Sequence, residues 1–287
     1  MRKFVCISLI MFTGRCLFAQ NHATPVFLNH VYFVIDSASY RHIFDSAFLK
    51  QIGTASESKT TTTTSAWSGK YFYGRDSYLE IFPPNGYSGA TTGNFGLGFM
   101  TFQSGDIDKI KQYWKGHGSD SMSTDTTTWI SSDGKKNIWY YSVSLYTKDS
   151  LLPAYTWVME NAPEDLRGVG FTEDEIKQPI SWQTYIEKLS KKKFTKTFNK
   201  ITDVEMVAGD SAYQYLKRSF LNFGLKHRHQ KFYNDYITIH CIEGSVPRAQ
   251  IKKITIELNK PFDERTLILN NHLLMHIKGK EASFNFN

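Results

Sequence analysis

A strand followed by a helix and further strands is the pattern that most limits how this chain can fold. Residues 28–35 alternate and are rich in Val, Tyr and Phe, which predicts a strand. Asp36 and Ser37 are candidate N-caps of the helix that follows. The Thr-rich stretch 60–64 is expected to be an extended edge or a loop, and the runs 70–74 and 77–82 are predicted strands. The first unit is therefore predicted to be β-α-β-β-β.

A similar order recurs twice along the chain. The second unit has predicted strands at 96–102, 137–145 and 155–160, with a helix that begins at Asp106. The third has strands at 201–208, 236–242 and 251–258, with a helix over 210–223. Superposing the first two strand-to-helix junctions places His30 opposite Gly98 and Glu80 near Glu160, which indicates a weak internal duplication.

These patterns divide the chain into four segments. A basic stretch that begins with the capping box of Thr172 and Glu175 and runs to Lys200 is predicted to be helical. The predicted organisation is a leader over 1–20, paired modules over 21–165, a helical connecting segment over 166–200, and a C-terminal βαββ half-module with a terminal hairpin over 201–287.

The first twenty residues have the features of a secretory signal peptide. Arg2 and Lys3 precede a short apolar run, and Ala19 provides a small residue at a cleavage point. The run is shorter than the roughly 20 apolar residues that span a bilayer. We therefore expect a periplasmic or secreted protein without a membrane segment after cleavage.

The net charge and the cysteine content limit the partners and the disulfides that can be expected. The formal net charge is +7, of which three units lie in the leader, leaving +4. Much of this excess is in the lysines of 188–200, and no nucleic-acid motif accompanies them, so a nucleic-acid partner is not expected. Cys241 is the only cysteine outside the leader. No internal disulfide can form, and this thiol is predicted to pack as a small hydrophobe.

His30 and Glu80 are the most informative polar residues, because each interrupts an apolar strand. An ionised carboxylate buried without a partner costs several kcal/mol, so Glu80 must face water or meet a cation. Alternation puts His30 on one strand face with Leu28, Tyr32 and Val34, and puts Glu80 on one face with Tyr78 and Phe82. His30 and Glu80 could thus meet on one inner surface. Imidazole and carboxylate ligands suit Zn, Fe(II), Mn or Ni.

Tandem β-α-β-β-β units, with Asn29-His30-Val31 in the first strand and Tyr78-Leu79-Glu80-Ile81-Phe82 in the last, resemble the vicinal oxygen chelate superfamily of glyoxalase, bleomycin-resistance and extradiol dioxygenase proteins. The resemblance covers residues 28–162 and, more loosely, 201–258. It implies an α+β fold in which tandem βαβββ modules form curved, mostly antiparallel, barrel-like sheets.

The resemblance also implies a divalent-metal site. His30, Glu80 and Glu160 would be its ligands, and Glu160 would be the candidate catalytic base. The chain departs from the family pattern at Gly98, where the second module should supply a ligand. A site without metal, in which His30 donates a hydrogen bond to Glu80 or to a backbone carbonyl, is the alternative.

Aromatic residues are dense on the predicted strands, and alternation obliges about half of them to point inward. Tyr32, Tyr78, Phe82 and Trp157 are predicted to line a pocket for a partly apolar small molecule. Two functions then remain open. One is a metal-dependent enzyme of lyase, isomerase or dioxygenase type. The other is a non-catalytic protein that binds or sequesters a small molecule. The C-terminal unit could also pair with a second copy and form a homodimer.

Overall fold

A computed structural model describes residues 24–117, 121–145 and 154–287. The predicted signal peptide lies outside these described residues. No helix in the described part of the chain is both long and apolar enough to cross a membrane.

The first two β-α-β-β-β units form one eight-stranded sheet in the order β2-β3-β4-β1-β5-β8-β7-β6. The first unit consists of β1 (Val26–Val34), α1 (Ser37–His42), α2 (Ala47–Ile52), β2 (Thr54–Thr61), β3 (Ala66–Tyr73) and β4 (Tyr78–Phe82). The second consists of β5 (Phe95–Thr101), α3 (Asp106–Gly116), β6 (Met122–Ile130), β7 (Lys136–Leu145) and β8 (Ala154–Asn161). Within each unit the first strand pairs in parallel with the last. The antiparallel pair of β1 and β5 joins the two units. The α+β class and the curved, mostly antiparallel sheets are confirmed.

The C-terminal region forms a six-stranded sheet in the order β10-β11-β12-β9-β13-β14. It consists of β9 (Phe198–Ala208), α7 (Asp210–Asn222), β10 (Lys226–Arg228), β11 (Lys231–Tyr233), β12 (Thr238–Glu243), β13 (Gln250–Asn270) and β14 (Leu273–Phe286). The elements from β9 to β12 form a complete third β-α-β-β-β unit, where the sequence predicted a half-module. β10 and β11 have three residues each, too short to leave an alternating pattern.

Three short helices connect the two sheets: α4 (Pro163–Val169), α5 (Glu173–Ile176) and α6 (Trp182–Ser190). The capping box of Thr172 and Glu175 is present at the start of α5. The segment predicted to be helical is divided into separate helices. α5 ends before Pro179, which disfavours a helical conformation at the residue before it, and α6 starts anew at the N-cap Ser181.

One hydrophobic core lies between the two sheets, with α7 packed into it. Phe99 of β5 contacts Phe220 and Phe223 at the end of α7, with ring centroids 6.4 and 5.1 Å apart. Phe33 of β1 contacts Phe286 of β14 in the same way at 5.0 Å. Cys241 is fully buried in this core. Since one face of the eight-stranded sheet is occupied by this core, the other face is free to form a cavity.

Candidate functional site

A cavity of about 430 Å³ lies on the face of the eight-stranded sheet that points away from the core. Strand alternation separates the two faces: His30 and Tyr32 line the cavity, whereas Val31 and Phe33 are buried in the core. Ten of the described residues that line it are aromatic. Tyr32, Tyr78, Phe82 and Trp157, the pocket residues predicted from the sequence, are all among them.

A β-bulge at Asn29 shapes the floor of the cavity. Leu28 pairs with Phe99 and His30 with Gly98, so Asn29 is an extra residue in β1. The bulge lets neighbouring Asn29 and His30 both line the cavity, and Asn29 Oδ1 lies 2.9 Å from His30 Nδ1. It also turns Leu28 into the core, which corrects the prediction that Leu28 and His30 share a face.

Glycines in β5 make room for the two β1 rings that lie against them. A Cβ at Gly98 would come within 2.4 Å of His30 Cε1, and a Cβ at Gly96 within 2.3 Å of Tyr32 Cε1. Both distances are far below van der Waals contact. The imidazole therefore occupies the space into which any side chain at position 98 would project.

His30 and Glu80 are brought together at this floor. His30 Nε2 lies 3.8 Å from Glu80 Oε2, too far for a direct hydrogen bond. His30 stacks on Tyr78 at 4.8 Å and meets the ring of Trp157 edge-on at 5.2 Å. Because the amide oxygen of Asn29 can only accept, the neutral imidazole carries its proton on Nδ1 and offers Nε2 as an acceptor.

Burial keeps this pair uncharged at neutral pH. It lowers the pKa of His30 to about 3, because the imidazolium loses its hydration. It raises the pKa of Glu80 to about 8 for the corresponding reason, against a smaller opposing effect of the Tyr78 hydroxyl. At neutral pH the imidazole is thus unprotonated and the carboxyl group predominantly protonated.

Glu160 is not part of this site. Its carboxylate accepts hydrogen bonds from the backbone N–H groups of Gly105 and Ile107 at 2.7 and 2.8 Å, where α3 begins. Gly105 has no side chain to cap the helix, so Glu160 performs that role from β8. Glu160, predicted from the sequence as a third metal ligand and the catalytic base, thus lies at the start of α3 and outside the described lining of the cavity.

A register error of one residue explains the misplacement. Glu80 pairs with Tyr32, two residues after His30, and Met159 pairs with Met100, two residues after Gly98. Met159 is therefore the true counterpart of Glu80. A shift of one residue along a strand moves a side chain to the opposite face.

The residues at the floor do not fit a metal centre with three or four protein ligands. His30 and Glu80 come from the first unit, but their counterparts in the second unit are Gly98 and Met159. In the described part of the chain, no three His, Cys, Asp or Glu side chains are grouped so that they could hold a metal ion.

The connecting helices form one wall of the cavity, a contribution that the sequence did not reveal. Trp182 of α6 stacks on Tyr78 at 4.6 Å. Tyr185, one turn later, donates a hydrogen bond to Asp165 of α4 at 3.0 Å and accepts one from Trp139 of β7 at 3.3 Å. The sequence indicates that Trp182 and Tyr185 share one helix face. It does not indicate that this face covers the cavity.

Removal of the Glu160 carboxylate tests its role as a cap. We expect Glu160→Ala to lower the free energy of unfolding by about 2 kcal/mol, because two backbone N–H groups lose their acceptor. Urea unfolding measures this, with Glu164→Ala on the exposed first turn of α4 as the control. A stable variant that loses a function of the cavity would contradict the capping role.

The fold and the cavity together define an α+β protein with paired β-α-β-β-β units around an aromatic pocket. The chain belongs to a family of unknown function, DUF5829, whose model matches residues 28–286. A search of curated proteins found no match.

The solved structures that are similar to the chain include the following two. A hypothetical protein from Staphylococcus aureus is 11% identical with a TM-score of 0.51, over 85% of this chain and 95% of that one. BphC, a halotolerant catechol dioxygenase, is 7% identical with a TM-score of 0.35, over 83% of this chain and 69% of that one. The first likeness shows the fold, and neither transfers a function.

Proposed function

We propose that the protein binds a small, partly apolar molecule in the cavity of the eight-stranded sheet. The observation that carries this proposal is a cavity of about 430 Å³ whose described lining includes ten aromatic side chains. Ligand pockets of this size are typically apolar with a few placed polar groups. His30, Glu80 and Asn29 are those groups here.

The rigidity of the lining favours a binding role. His30, Tyr78 and Trp182 form a continuous stack, with spacings of 4.8 and 4.6 Å between neighbouring rings. Because these rings already fix one another's positions, they lose little conformational entropy when a ligand binds, and this favours affinity. The alternative predicted from the sequence, a metal-dependent enzyme, would have only His30 and Glu80 as acidic or histidine ligands in the described lining of the cavity. We therefore place it second.

Membership of the vicinal oxygen chelate superfamily is a further proposal, supported by the strand order that the two units share. Export is proposed from the leader of residues 1–20 alone, and an N-terminus near residue 21 in protein secreted by cells would support it. A homodimer stays a prediction.

Binding of a neutral fluorescent probe tests the proposed function. We expect N-phenyl-1-naphthylamine to bind the mature chain with enhanced fluorescence, equally well with and without a metal chelator. Ala66 is exposed at the start of β3 and lines the cavity, so Ala66→Trp should obstruct the cavity at little cost in stability. We expect this variant to bind at least five-fold more weakly.

Thr124→Trp is the matched control, because Thr124 is exposed on β6 and does not line the cavity. The probe should bind this variant like the wild type. Equal binding by the two tryptophan variants would place the probe elsewhere and overturn the proposal. Binding that the chelator abolishes would favour the metal-dependent alternative.

A further inference from the structure

We propose that the ligand is an organic cation, an amine or quaternary ammonium compound that also carries a hydroxyl, ether or carbonyl oxygen. This inference rests on the proposed function, since it assumes that the cavity is the binding site. Three features of the described lining carry it: one acidic side chain, the faces of aromatic rings, and two buried hydrogen-bond donors that have no partner among the described residues.

The charges around the cavity favour a positive ligand. Glu80 is the only acidic residue in its described lining, and no lysine or arginine of the described chain lines it. The Glu80 side chain is 14% exposed, and its nearest potential cation, His30, is 5% exposed and 3.8 Å away. A carboxylate at this buried position would have no lysine or arginine beside it in the described lining, so a positively charged ligand would stabilise the ionised form of Glu80. An anionic ligand would instead meet the carboxylate, with no lysine or arginine in the described lining to compensate its charge.

The aromatic lining matches the same chemistry. The face of an aromatic ring attracts a cation, tryptophan most strongly, and the attraction grows when the cation is desolvated. Four of the six tryptophans in the chain line the cavity, namely Trp67, Trp139, Trp157 and Trp182. Trp157 contacts the ring of His30, and Glu80 lies 3.8 Å from the same ring, so aromatic surface and carboxylate are close together. Aromatic rings around a carboxylate are suited to an alkylated ammonium group. An apolar pocket without a carboxylate would not prefer such a cation over a neutral compound.

Two buried donors indicate the oxygen on the ligand. Asn29 Nδ2 and Trp182 Nε1 are buried and have no hydrogen-bond partner among the described residues, and both residues line the cavity. Buried donors are nearly always paired, so each is available for an acceptor. Asn29 holds one nitrogen of His30 while Glu80 lies near the other. A ligand at this floor can therefore place its charge near Glu80 and an oxygen near Asn29.

Matched pairs of ligands that differ only in charge test the proposal. Choline and 3,3-dimethylbutan-1-ol have nearly the same shape, and so do phenyltrimethylammonium and tert-butylbenzene. Isothermal titration should give at least ten-fold tighter binding of a cation than of its neutral counterpart. We expect this preference to disappear in Glu80→Gln, which keeps the shape of the side chain. It should persist in Glu243→Gln, an exposed acid on β12 outside the cavity.

Binding of N-phenyl-1-naphthylamine to Glu80→Gln, measured in parallel, shows that the cavity of the variant is intact. If neutral compounds bind as tightly as their cationic counterparts, or if no cation binds while the neutral probe does, the cation proposal is overturned and the binding function stands. If the neutral probe also fails to bind the wild type, the proposed function itself fails.

Discussion

Replacement of Gly98 by alanine is expected to lower the free energy of unfolding by about 3 kcal/mol and to abolish binding in the cavity. The new Cβ would lie 2.4 Å from His30 Cε1. The imidazole cannot move away easily, because Tyr78 stacks on it and Asn29 holds its Nδ1. The clash must therefore shift the backbone of β5 or push the His30 ring into the cavity, where a ligand would bind. Urea unfolding and probe binding measure the two effects.

Gly168→Ala is the matched control for this substitution. Gly168 lies in α4, and a Cβ there meets nothing within 4 Å. Since alanine favours helix over glycine, this change should leave stability unaltered or raise it by up to about 1 kcal/mol.

A double variant sharpens the test of the contact between Gly98 and His30. Removal of the imidazole in His30→Ala should cost clearly less stability when alanine already occupies position 98, because the clash disappears with the ring. Additive effects of the two substitutions would show that His30 does not pack against β5 as described.

The repeated units could be predicted from the sequence because their signals are local. Alternation in β1 and the Asp36 cap of α1 each lie within a few residues, and the structure contains both. His30 and Glu80 could also be paired, since both interrupt apolar strands and their parity is fixed within each strand. What these signals leave open is how one element is aligned against another.

Three features of the site depend on that alignment. The bulge at Asn29 is a property of the pairing between β1 and β5, and nothing in β1 alone marks it. The counterpart of Glu80 is Met159, one residue before Glu160, and only the pairing of β8 with β5 shows this. The wall formed by Trp182 depends on where three short helices return to the sheet. The residue types of a site can thus be predicted from the sequence. The face of the sheet on which each side chain lies depends on how the strands pair.

The protonation of Glu80 leads to a second large effect, a dependence of stability on pH. Its pKa rises from 4.5 to about 8 on folding, because burial disfavours the carboxylate. Between these two values the folded protein holds a proton that the unfolded chain has released, so stability falls as pH rises, by up to about 1.4 kcal/mol per unit. Below pH 4.5 both states are protonated and the effect vanishes.

Other groups near Glu80 do not produce this trend. The pKa of His30 falls from 6.5 to about 3, so its effect has the opposite sign: stability is lost as pH falls from 6.5 towards 3. Tyr71 and Tyr73 on β3, Tyr78 on β4, Tyr140 on β7 and Tyr32 on β1 also interact with Glu80, and burial raises the pKa of each above 10. They stay neutral throughout the range in which Glu80 changes.

Glu80→Gln isolates the contribution of the carboxyl group, because glutamine stays neutral and all other groups are shared. We expect the variant to match the wild type near pH 4.5 and to be more stable by a few kcal/mol at pH 8, with the gap widening steadily between. Urea unfolding at several pH values measures this gap, and Glu243→Gln, an exposed acid on β12, should show no such widening. Parallel stability curves for wild type and Glu80→Gln would mean that Glu80 is ionised in the folded protein, which would require a cation beside it.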